Sequence, residues 1–330
     1  MQAKLVLESL VAVYKSYAIW ARLEEKGHAV YSSAFRYLRA KSLEEAATML
    51  SDLGEDAKAL AGGQSLIPLM KLRLSKPTAL VDLNFISGIS RIEKRGNAIH
   101  FGTLARHAQI EDSEIVAQIP ILHDCAAGIA DVQVRNRGTI GGSLAEADPT
   151  GDWGPVLLAL STEVACSGPQ KTRTISLSQF FLDAYTTALA PAELVREVIV
   201  KVPPKNSGGA YLAFKRCAPV YASATAAVQL TMADKDSCGE AHIVLGCVGL
   251  VPIHATEAER ELSGHKITPR TVQAAGEAAM AAAEPQSDMR GSAEYKRVLI
   301  RSLVKRAIEI ALRRAHGEPV EASHEYVGRA

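Results

Sequence analysis

The chain has 330 residues, of which 48% are hydrophobic, and this is enough apolar material for two or three domains. Its 37 basic and 36 acidic side chains give a net charge of +1, so no strong field attracts nucleic acid or an anionic membrane. No segment approaches the roughly 20 apolar residues that span a bilayer, and no signal peptide is evident. We therefore predict neither nucleic-acid binding nor a membrane span.

The cysteine pattern argues against an iron–sulfur or zinc site. The five cysteines are scattered, without a Cys-x-x-Cys pair or a close grouping with histidine. Most are expected to be buried small apolar residues in a reducing compartment. We therefore predict a cytoplasmic protein whose own chain holds no metal.

Helical and extended segments alternate along the chain. Apolar residues at helical spacing within 1–31 predict an amphipathic helix that ends near Gly27. Ser42-Leu43-Glu44-Glu45 is a capping box that opens a second helix, and Gly54 suits the end of that helix. A strand at 57–61 leads directly into Gly62-Gly63.

The remaining predicted elements are short and separated by many turns, which is typical of an α+β fold. They are a helix at 66–72, a strand at 78–83, a hairpin at 91–101, a helix at 118–130, β-rich segments at 222–232 and 241–250, and helices at 268–283 and 292–315.

The glycine pair after the 57–61 strand is the first candidate ligand site. Gly62 and Gly63 permit backbone angles that a side chain disfavours, and their N–H groups can surround an anion. Gln64 and Ser65 add donors, and a helix that begins at Leu66 adds a favourable partial charge. The segment suits a pyrophosphate, although a glycine pair after a strand can also be a purely structural turn.

A second glycine segment offers similar groups, with the hydroxyls of Thr139 and Ser143 on either side of Gly141-Gly142. Two such segments suggest one shared ligand. Neither matches the G-x-G-x-x-G or G-x-x-x-x-G-K-[ST] pattern, so a common Rossmann or P-loop site is not supported. Asp152 follows closely and is suited to accept hydrogen bonds from ligand hydroxyls, or it is a solvated loop carboxylate.

The segments at 61–66 and 139–143 resemble the two flavin-binding motifs of the medium subunits of molybdenum hydroxylases. This family includes the aerobic carbon monoxide dehydrogenases, and the xanthine dehydrogenases carry the same domain. Asn136-Arg137-Gly138 and the segments at 42–46 and 185–189 also resemble the family. The resemblance extends from about 33 to about 315, and the first 31 residues have no counterpart in it.

The resemblance implies an α+β protein with the vanillyl-alcohol-oxidase-like (PCMH-type) FAD-binding fold in two subdomains. A C-terminal α+β domain with an antiparallel sheet follows. The implied divisions are an N-terminal extension at 1–31, a first FAD-binding subdomain at 32–90, a second at 91–215, and a C-terminal flavoprotein domain at 216–330.

The resemblance also implies a set of FAD-binding residues, and it implies no catalytic residue. The set is Leu60, Ala61, Gly62, Gly63, Gln64, Ser65, Leu66, Thr139, Ile140, Gly141, Gly142, Ser143, Asp152 and Lys215. For Lys215 the alternative is an ordinary exposed strand lysine. Arg106 stands where the family often has threonine, so we assign it no flavin contact, and we expect His107 to be structural rather than a catalytic base.

The function implied by the resemblance is electron transfer within a larger enzyme. This chain would bind FAD non-covalently and pass electrons from the [2Fe–2S] clusters of a small partner subunit to an external acceptor. A large partner would hold the molybdenum cofactor, and the complex would be a dimer of heterotrimers. Two alternatives stay open: a self-sufficient FAD-dependent dehydrogenase or oxidase of the same fold, and a flavin-free structural subunit.

Overall fold

The structure, a computed structural model, describes residues 31–217, 220–322 and 325–326. The N-terminal helix predicted to end near Gly27 lies outside these residues. The helices are α1 (Leu43–Leu53), α2 (Leu66–Lys71), α3 (His107–Glu111), α4 (Pro120–Gly128), α5 (Val132–Arg137), α6 (Ile140–Glu146), α7 (Trp153–Ala159), α8 (Thr256–Leu262), α9 (Pro269–Ala282) and α10 (Ala293–Ala315).

Within the described residues, the strands form three main sheets and one small hairpin. They are β1 (Arg36–Arg39), β2 (Ala57–Leu60), β3 (Ala79–Asp82), β4 (Ile92–Arg95), β5 (Ala98–Gly102), β6 (Glu163–Ser167), β7 (Thr172–Ser176), β8 (Phe181–Asp183), β9 (Thr186–Thr187), β10 (Leu194–Lys201), β11 (Ser207–Lys215), β12 (Ala224–Met232), β13 (Cys238–Gly246), β14 (Ile253–His254) and β15 (Glu325–Tyr326).

The first sheet is parallel, in the order β1-β3-β2, and α1 packs against it. The predicted capping of α1 is confirmed, because the Ser42 hydroxyl accepts a hydrogen bond of 3.0 Å from the Glu45 N–H. The C-terminal residue Gly54 has φ 76°, a left-handed value that favours glycine. The helix buries Leu43 and Leu50 against the sheet. Strand β2 of this sheet ends at Leu60, directly before the first glycine segment.

The second sheet is antiparallel, in the order β4-β5-β10-β6-β7. Buried side chains of the short helices that follow β5 in the chain share one hydrophobic core with this sheet. Its core contains fully buried aromatic side chains such as Phe101 and Trp153. The hairpin predicted at 91–101 is confirmed as β4 and β5. Helix α5 ends directly before the second glycine segment, and that segment begins α6.

The third sheet has the order β14-β13-β12-β11-β15 and is buried on both faces. Tyr211 and Ala213 of β11 join the core of the second sheet, whereas Ala210 and Leu212 join the core formed with α8, α9 and α10. This alternation follows from the two-residue period of a strand. The third sheet therefore joins the FAD-binding part of the chain to the C-terminal helices.

The pairing of β11 bears on the predicted boundary between 215 and 216. All residues from Ser207 to Phe214 pair with β12 in the third sheet. The boundary stays a prediction, and we propose that it lies before Ser207, in the segment between β10 and β11.

The C-terminal helices predicted at 268–283 and 292–315 are confirmed as α9 and α10. Thr268 caps α9 and accepts a hydrogen bond from the Thr271 N–H at 3.2 Å. Helices α3, α5, α6, α7 and α8 were not predicted from the sequence. Among the described helices, none combines the length and the apolar character needed to cross a membrane.

Candidate functional site

A cavity of about 290 Å³ lies where both glycine segments meet β11. Of the residues proposed for FAD binding, those that line this cavity are Leu60, Ala61, Gly62, Gly63, Gln64, Ser65, Leu66, Thr139, Gly142, Ser143, Asp152 and Lys215. Ile140 and Gly141 of the second segment do not line it, because both residues are buried in the protein interior. The structure thus brings together residues that are far apart in the sequence.

The first glycine segment presents unused backbone donors. No group in the described part of the chain accepts a hydrogen bond from the N–H of Gly62, Gly63, Gln64 or Ser65. Gly63 has φ 75°, which turns the chain before α2 begins. Successive N–H groups in such a turn form a concavity for an anion. This is the geometry that the sequence predicted for a pyrophosphate.

The second glycine segment differs from the prediction, because it is the first turn of α6 rather than a loop. Its N–H groups are used within the protein: Gly141 donates to the Thr103 carbonyl at 3.0 Å, and Gly142 donates to the Thr139 hydroxyl at 3.1 Å. Thr139 is therefore the N-terminal cap of the helix. The segment supplies a close-packed wall to the cavity, whereas the first segment supplies free N–H donors.

One glycine in each segment, Gly62 and Gly141, is required by the close approach of another part of the chain. A Cβ on Gly62 would lie 2.3 Å from the Arg137 carbonyl oxygen and 2.9 Å from the Gly138 Cα. A Cβ on Gly141 would lie 2.0 Å from the Thr103 Oγ1. Neither Gly62 nor Gly141 has a positive φ, so their role differs from the conformational freedom that the sequence suggested.

Asp152 and Lys215 form a buried polar pair at the cavity. The Lys215 side chain is 2% exposed, its Nζ donates to the Gly128 carbonyl at 2.6 Å, and it lies 3.6 Å from Asp152 Oδ1. The Tyr211 hydroxyl donates to the same Asp152 oxygen at 2.7 Å. Burial, followed by the Asp152 charge, raises the pKa of Tyr211 well above its usual value, so its hydroxyl stays a neutral donor. Lys215 is therefore no exposed strand lysine, and Asp152 is no solvated carboxylate.

His107 packs beneath the second glycine segment and also lines the cavity. The Trp153 indole N–H donates to His107 Nδ1 at 3.1 Å. Burial, helped by the Arg106 and Arg135 charges, lowers the pKa of His107 to about 3, so the ring is neutral at neutral pH. A neutral, packed ring that accepts from Trp153 fits the predicted structural role.

The depressed pKa of His107 predicts acid sensitivity. Below the ordinary histidine pKa near 6.5, the unfolded chain takes up a proton that the folded chain refuses until about pH 3. The stabilisation is therefore complete above pH 6.5 and is lost as pH falls toward 3. We expect the difference in unfolding free energy between wild type and His107→Gln to shrink by about 2 kcal/mol from pH 7 to pH 5.

Urea denaturation at both pH values measures this difference. His123→Gln is the matched control, since His123 is an exposed histidine of the neighbouring helix α4. A pH dependence of His107→Gln that equals the wild-type pH dependence would contradict the assignment.

Several lining residues were not singled out by the sequence. Glu146 and Asp148 place carboxylates on the cavity wall, and burial followed by the Asp148 charge raises the pKa of Glu146. Tyr221 comes from the segment between β11 and β12, and the Arg290 guanidinium lies 5.3 Å from its ring centroid. Asp148 lies only four residues before Asp152, which the sequence did single out, whereas no local pattern marks Tyr221 as a cavity residue.

Two protein-family models match most of the chain. Residues 33–203 match the FAD binding domain in molybdopterin dehydrogenase, and residues 209–311 match the CO dehydrogenase flavoprotein C-terminal domain. The chain belongs to the FAD-binding subunits of the molybdenum hydroxylases. The α+β fold and the FAD-binding domain inferred from the sequence are thereby confirmed.

Two curated relatives illustrate the similarity. The alpha subunit of the 6-hydroxypseudooxynicotine dehydrogenase complex of Paenarthrobacter nicotinovorans is 39% identical over 292 residues, covering 88% of this chain and 99% of the relative. The carbon monoxide dehydrogenase medium chain of Afipia carboxidovorans is 38% identical over 283 residues, covering 86% and 98%. The first relative is named as a subunit of a complex, and the second is named as a medium chain.

A solved structure agrees. A chain of carbon monoxide dehydrogenase from Hydrogenophaga pseudoflava superposes with a TM-score of 0.84 at 38% identity, covering 86% of this chain and 99% of that chain. The fold of this flavin subunit is therefore that of its relatives over almost their whole length.

The residues at the cavity fit FAD chemically. The unused N–H groups from Gly62 to Ser65 suit the pyrophosphate, since they donate and no side chain of Gly62 or Gly63 fills the space in front of them. Tyr211 holds the Asp152 carboxylate through Oδ1, and within the described residues no group donates a hydrogen bond to Asp152 Oδ2. That oxygen suits a ligand hydroxyl, as the sequence suggested.

Proposed function

We propose that this chain is the flavin subunit of a heteromeric molybdenum hydroxylase, in which FAD, when bound, accepts electrons from [2Fe–2S] clusters of a small partner and passes them to an external acceptor. The observation that carries the proposal is the row of free N–H groups from Gly62 to Ser65, inside a chain of this family. The protein's own residues bind and orient the cofactor.

The proposed division of labour among the FAD-binding residues follows the geometry. The first glycine segment would hold the pyrophosphate through its backbone, and Thr139, Gly142 and Ser143 would form the opposite wall. Asp152 would accept from hydroxyls, and Lys215 would keep a positive charge at the edge of the cavity. Ile140 and Gly141 would support this wall through their packing in the protein interior, because they do not line the cavity.

We propose as partners a small iron–sulfur subunit and a large subunit with the molybdenum cofactor, assembled as a dimer of heterotrimers. The relatives are named as subunits or chains of larger dehydrogenases, which supports a multi-subunit complex. We propose the cytoplasm as the compartment, because all five cysteines are unpaired and proteins of that compartment rarely form disulfides.

Flavin content tests the proposal. The full-length chain is purified and reconstituted with FAD, and the flavin released by denaturation is quantified against protein. We expect one FAD per chain, and no bound flavin would favour the flavin-free structural subunit. Co-purification with subunits that contain iron, sulfide and molybdenum then separates the proposal from the self-sufficient dehydrogenase or oxidase, which would turn over substrate alone.

Asp152 provides a site-level prediction. Asp152→Ala removes an acceptor for ligand hydroxyls, and we expect it to weaken FAD binding by about 1–3 kcal/mol. Because the same substitution deprives buried Lys215 of its carboxylate, the FAD-free variant should also unfold at lower urea.

Asp152→Asn is the isosteric comparison, since it keeps an oxygen for the Tyr211 hydroxyl and leaves no cavity, but it removes the charge and places an NH2 donor where Oδ2 was. Flavin fluorescence quenching gives the FAD Kd of each variant, and urea denaturation without FAD gives its stability. An unchanged Kd in both variants would remove Asp152 from the proposed site.

A further inference from the structure

Arg106 bridges the two glycine segments from outside the cavity. One guanidinium nitrogen, Nη1, donates to the Arg137 carbonyl, and the other, Nη2, donates to Asn84 Oδ1 at 2.5 Å. Arg106 itself does not line the cavity. Its two hydrogen bonds nevertheless end on the two halves of the site.

The Asn84 side leads to the first glycine segment. Asn84 Nδ2 donates to the Ala61 carbonyl at 2.9 Å, directly before Gly62. The Asn84 side chain is oriented by Asp82, whose Oδ1 accepts from Asn84 Nδ2 at 2.6 Å and from the Asn84 N–H at 2.8 Å. Asn84 therefore links the Arg106 guanidinium to the backbone of the first segment through two consecutive hydrogen bonds.

The Arg137 side leads to the second glycine segment. The Arg137 carbonyl that accepts from Arg106 is the same oxygen that lies where a Gly62 Cβ would be. It directly precedes Gly138, which leads into the Thr139 cap of α6. The guanidinium thus binds the backbone at the point where Arg137 closely approaches Gly62.

The planar, bidentate guanidinium suits this bridge, because it donates in two fixed directions at once. Burial, followed by the neighbouring Arg137 charge, lowers the pKa of Arg106, while the buried Asp82 carboxylate opposes that shift. An arginine stays protonated under such a shift at neutral pH. The bridge therefore persists over the working pH range of a protein.

We propose that Arg106 is a positioning residue that fastens the two glycine segments together and so sets the width of the pyrophosphate site. This inference rests on the proposed function, because the site it supports is the one assigned to FAD. Arg106 acts through the Ala61 and Arg137 carbonyls and not by contact with the ligand.

The test compares FAD Kd values of full-length variants by flavin fluorescence quenching. We expect Arg106→Gln to raise the Kd on the order of tenfold, since the charge-assisted bridge between the segments is lost. Arg106→Lys keeps the charge but loses the two-direction fork, so it should also raise the Kd, by a smaller factor. If Arg106→Gln does not fold, Arg106→Lys carries the test.

Arg137→Gln is the matched control for charge. It removes a neighbouring positive charge but keeps the backbone carbonyl that accepts from Arg106, so we expect a smaller rise in Kd than for Arg106→Gln. An equal rise in both variants would assign the effect to charge and overturn the bridge.

A double-mutant cycle with Asn84→Ala distinguishes positioning from general destabilisation. If Arg106 acts through Asn84, the two substitutions are non-additive in FAD Kd. Full additivity, or an unchanged Kd in Arg106→Gln and Arg106→Lys, overturns the inference alone. A wild-type chain that binds no FAD overturns the proposed function and this inference with it.

Discussion

Replacing Gly62 by alanine is expected to raise the FAD Kd by at least about 100-fold, or roughly 2.7 kcal/mol. A single methyl group suffices, because the added Cβ would lie 2.3 Å from the Arg137 carbonyl oxygen and 3.0 Å from its carbonyl carbon. Both atoms belong to the backbone and cannot rotate away. The two segments must therefore separate, and the row of N–H donors loses its position against the opposite wall.

Gly96→Ala is the matched control. Gly96 lies in the turn between β4 and β5, has φ 58° and has open space where a Cβ would be. The control carries a backbone-strain cost that Gly62→Ala lacks, and it should leave the Kd unchanged. Fluorescence quenching measures both variants, and wild-type affinity in Gly62→Ala would show that the first segment is misassigned.

Removing Asp124 is expected to destabilise the folded chain by about 3–5 kcal/mol, because it leaves the buried Arg314 guanidinium without its carboxylate. The pair is bidentate: Arg314 Nη1 and Nη2 lie 2.6 and 2.9 Å from the two oxygens of Asp124. Their side chains are only 7% and 3% exposed. The same guanidinium donates to the Gly209 carbonyl at 2.7 Å, so one ion pair joins α4, β11 and α10.

Urea denaturation of Asp124→Ala measures the loss. Asp124→Leu combined with Arg314→Met removes both charges, and we expect it to recover much of the stability, since no buried charge is left unpaired. Arg306→Ala is the comparison for loss of an arginine elsewhere on α10. A loss for Asp124→Ala within 0.5 kcal/mol, the range of ordinary surface substitutions, would contradict a buried role for the pair.

Helices with strong end signals were predictable from the sequence. Ser42 with Glu45 at the start of α1, and Thr268-Pro269 at the start of α9, mark their helices through local hydrogen bonds and backbone preference. Helix α8 was missed because its start, Ala255, makes no side-chain cap and the helix has only seven residues. Such end signals are not required for prediction, since α2 and α4 were predicted although neither begins with a side-chain cap.

The two glycine segments were found from the sequence, but the reason for their glycines was not. The sequence suggested conformational freedom, and among the four glycines only Gly63 has a positive φ. Gly62, Gly141 and Gly142 are glycines because another group occupies the place of a Cβ, and for Gly62 that group comes from a distant segment. A clash partner that lies far along the chain leaves no local pattern.

Lys215 and Arg106 show the same limit. The burial of Lys215 depends on Gly128 and Asp152, both far from it in sequence. Arg106 was set aside because it departs from the threonine expected there, yet it reaches both Asn84 and Arg137. The sequence therefore predicted which segments meet, whereas the side chains that hold them together required the folded arrangement.

The interlock between Gly62 and the Arg137 carbonyl also constrains the order of events in folding. Gly62 follows a strand of the first sheet, whereas Arg137 belongs to the part of the chain that packs with the second sheet. Bringing these two backbone segments together costs loop-closure entropy that no local turn offsets. The first segment carries the free N–H groups, but the opposite wall of the cavity comes from the second segment, so neither half alone encloses the anion. Flavin uptake must therefore follow docking of the two halves, and bound flavin should slow their separation by adding its contacts to both.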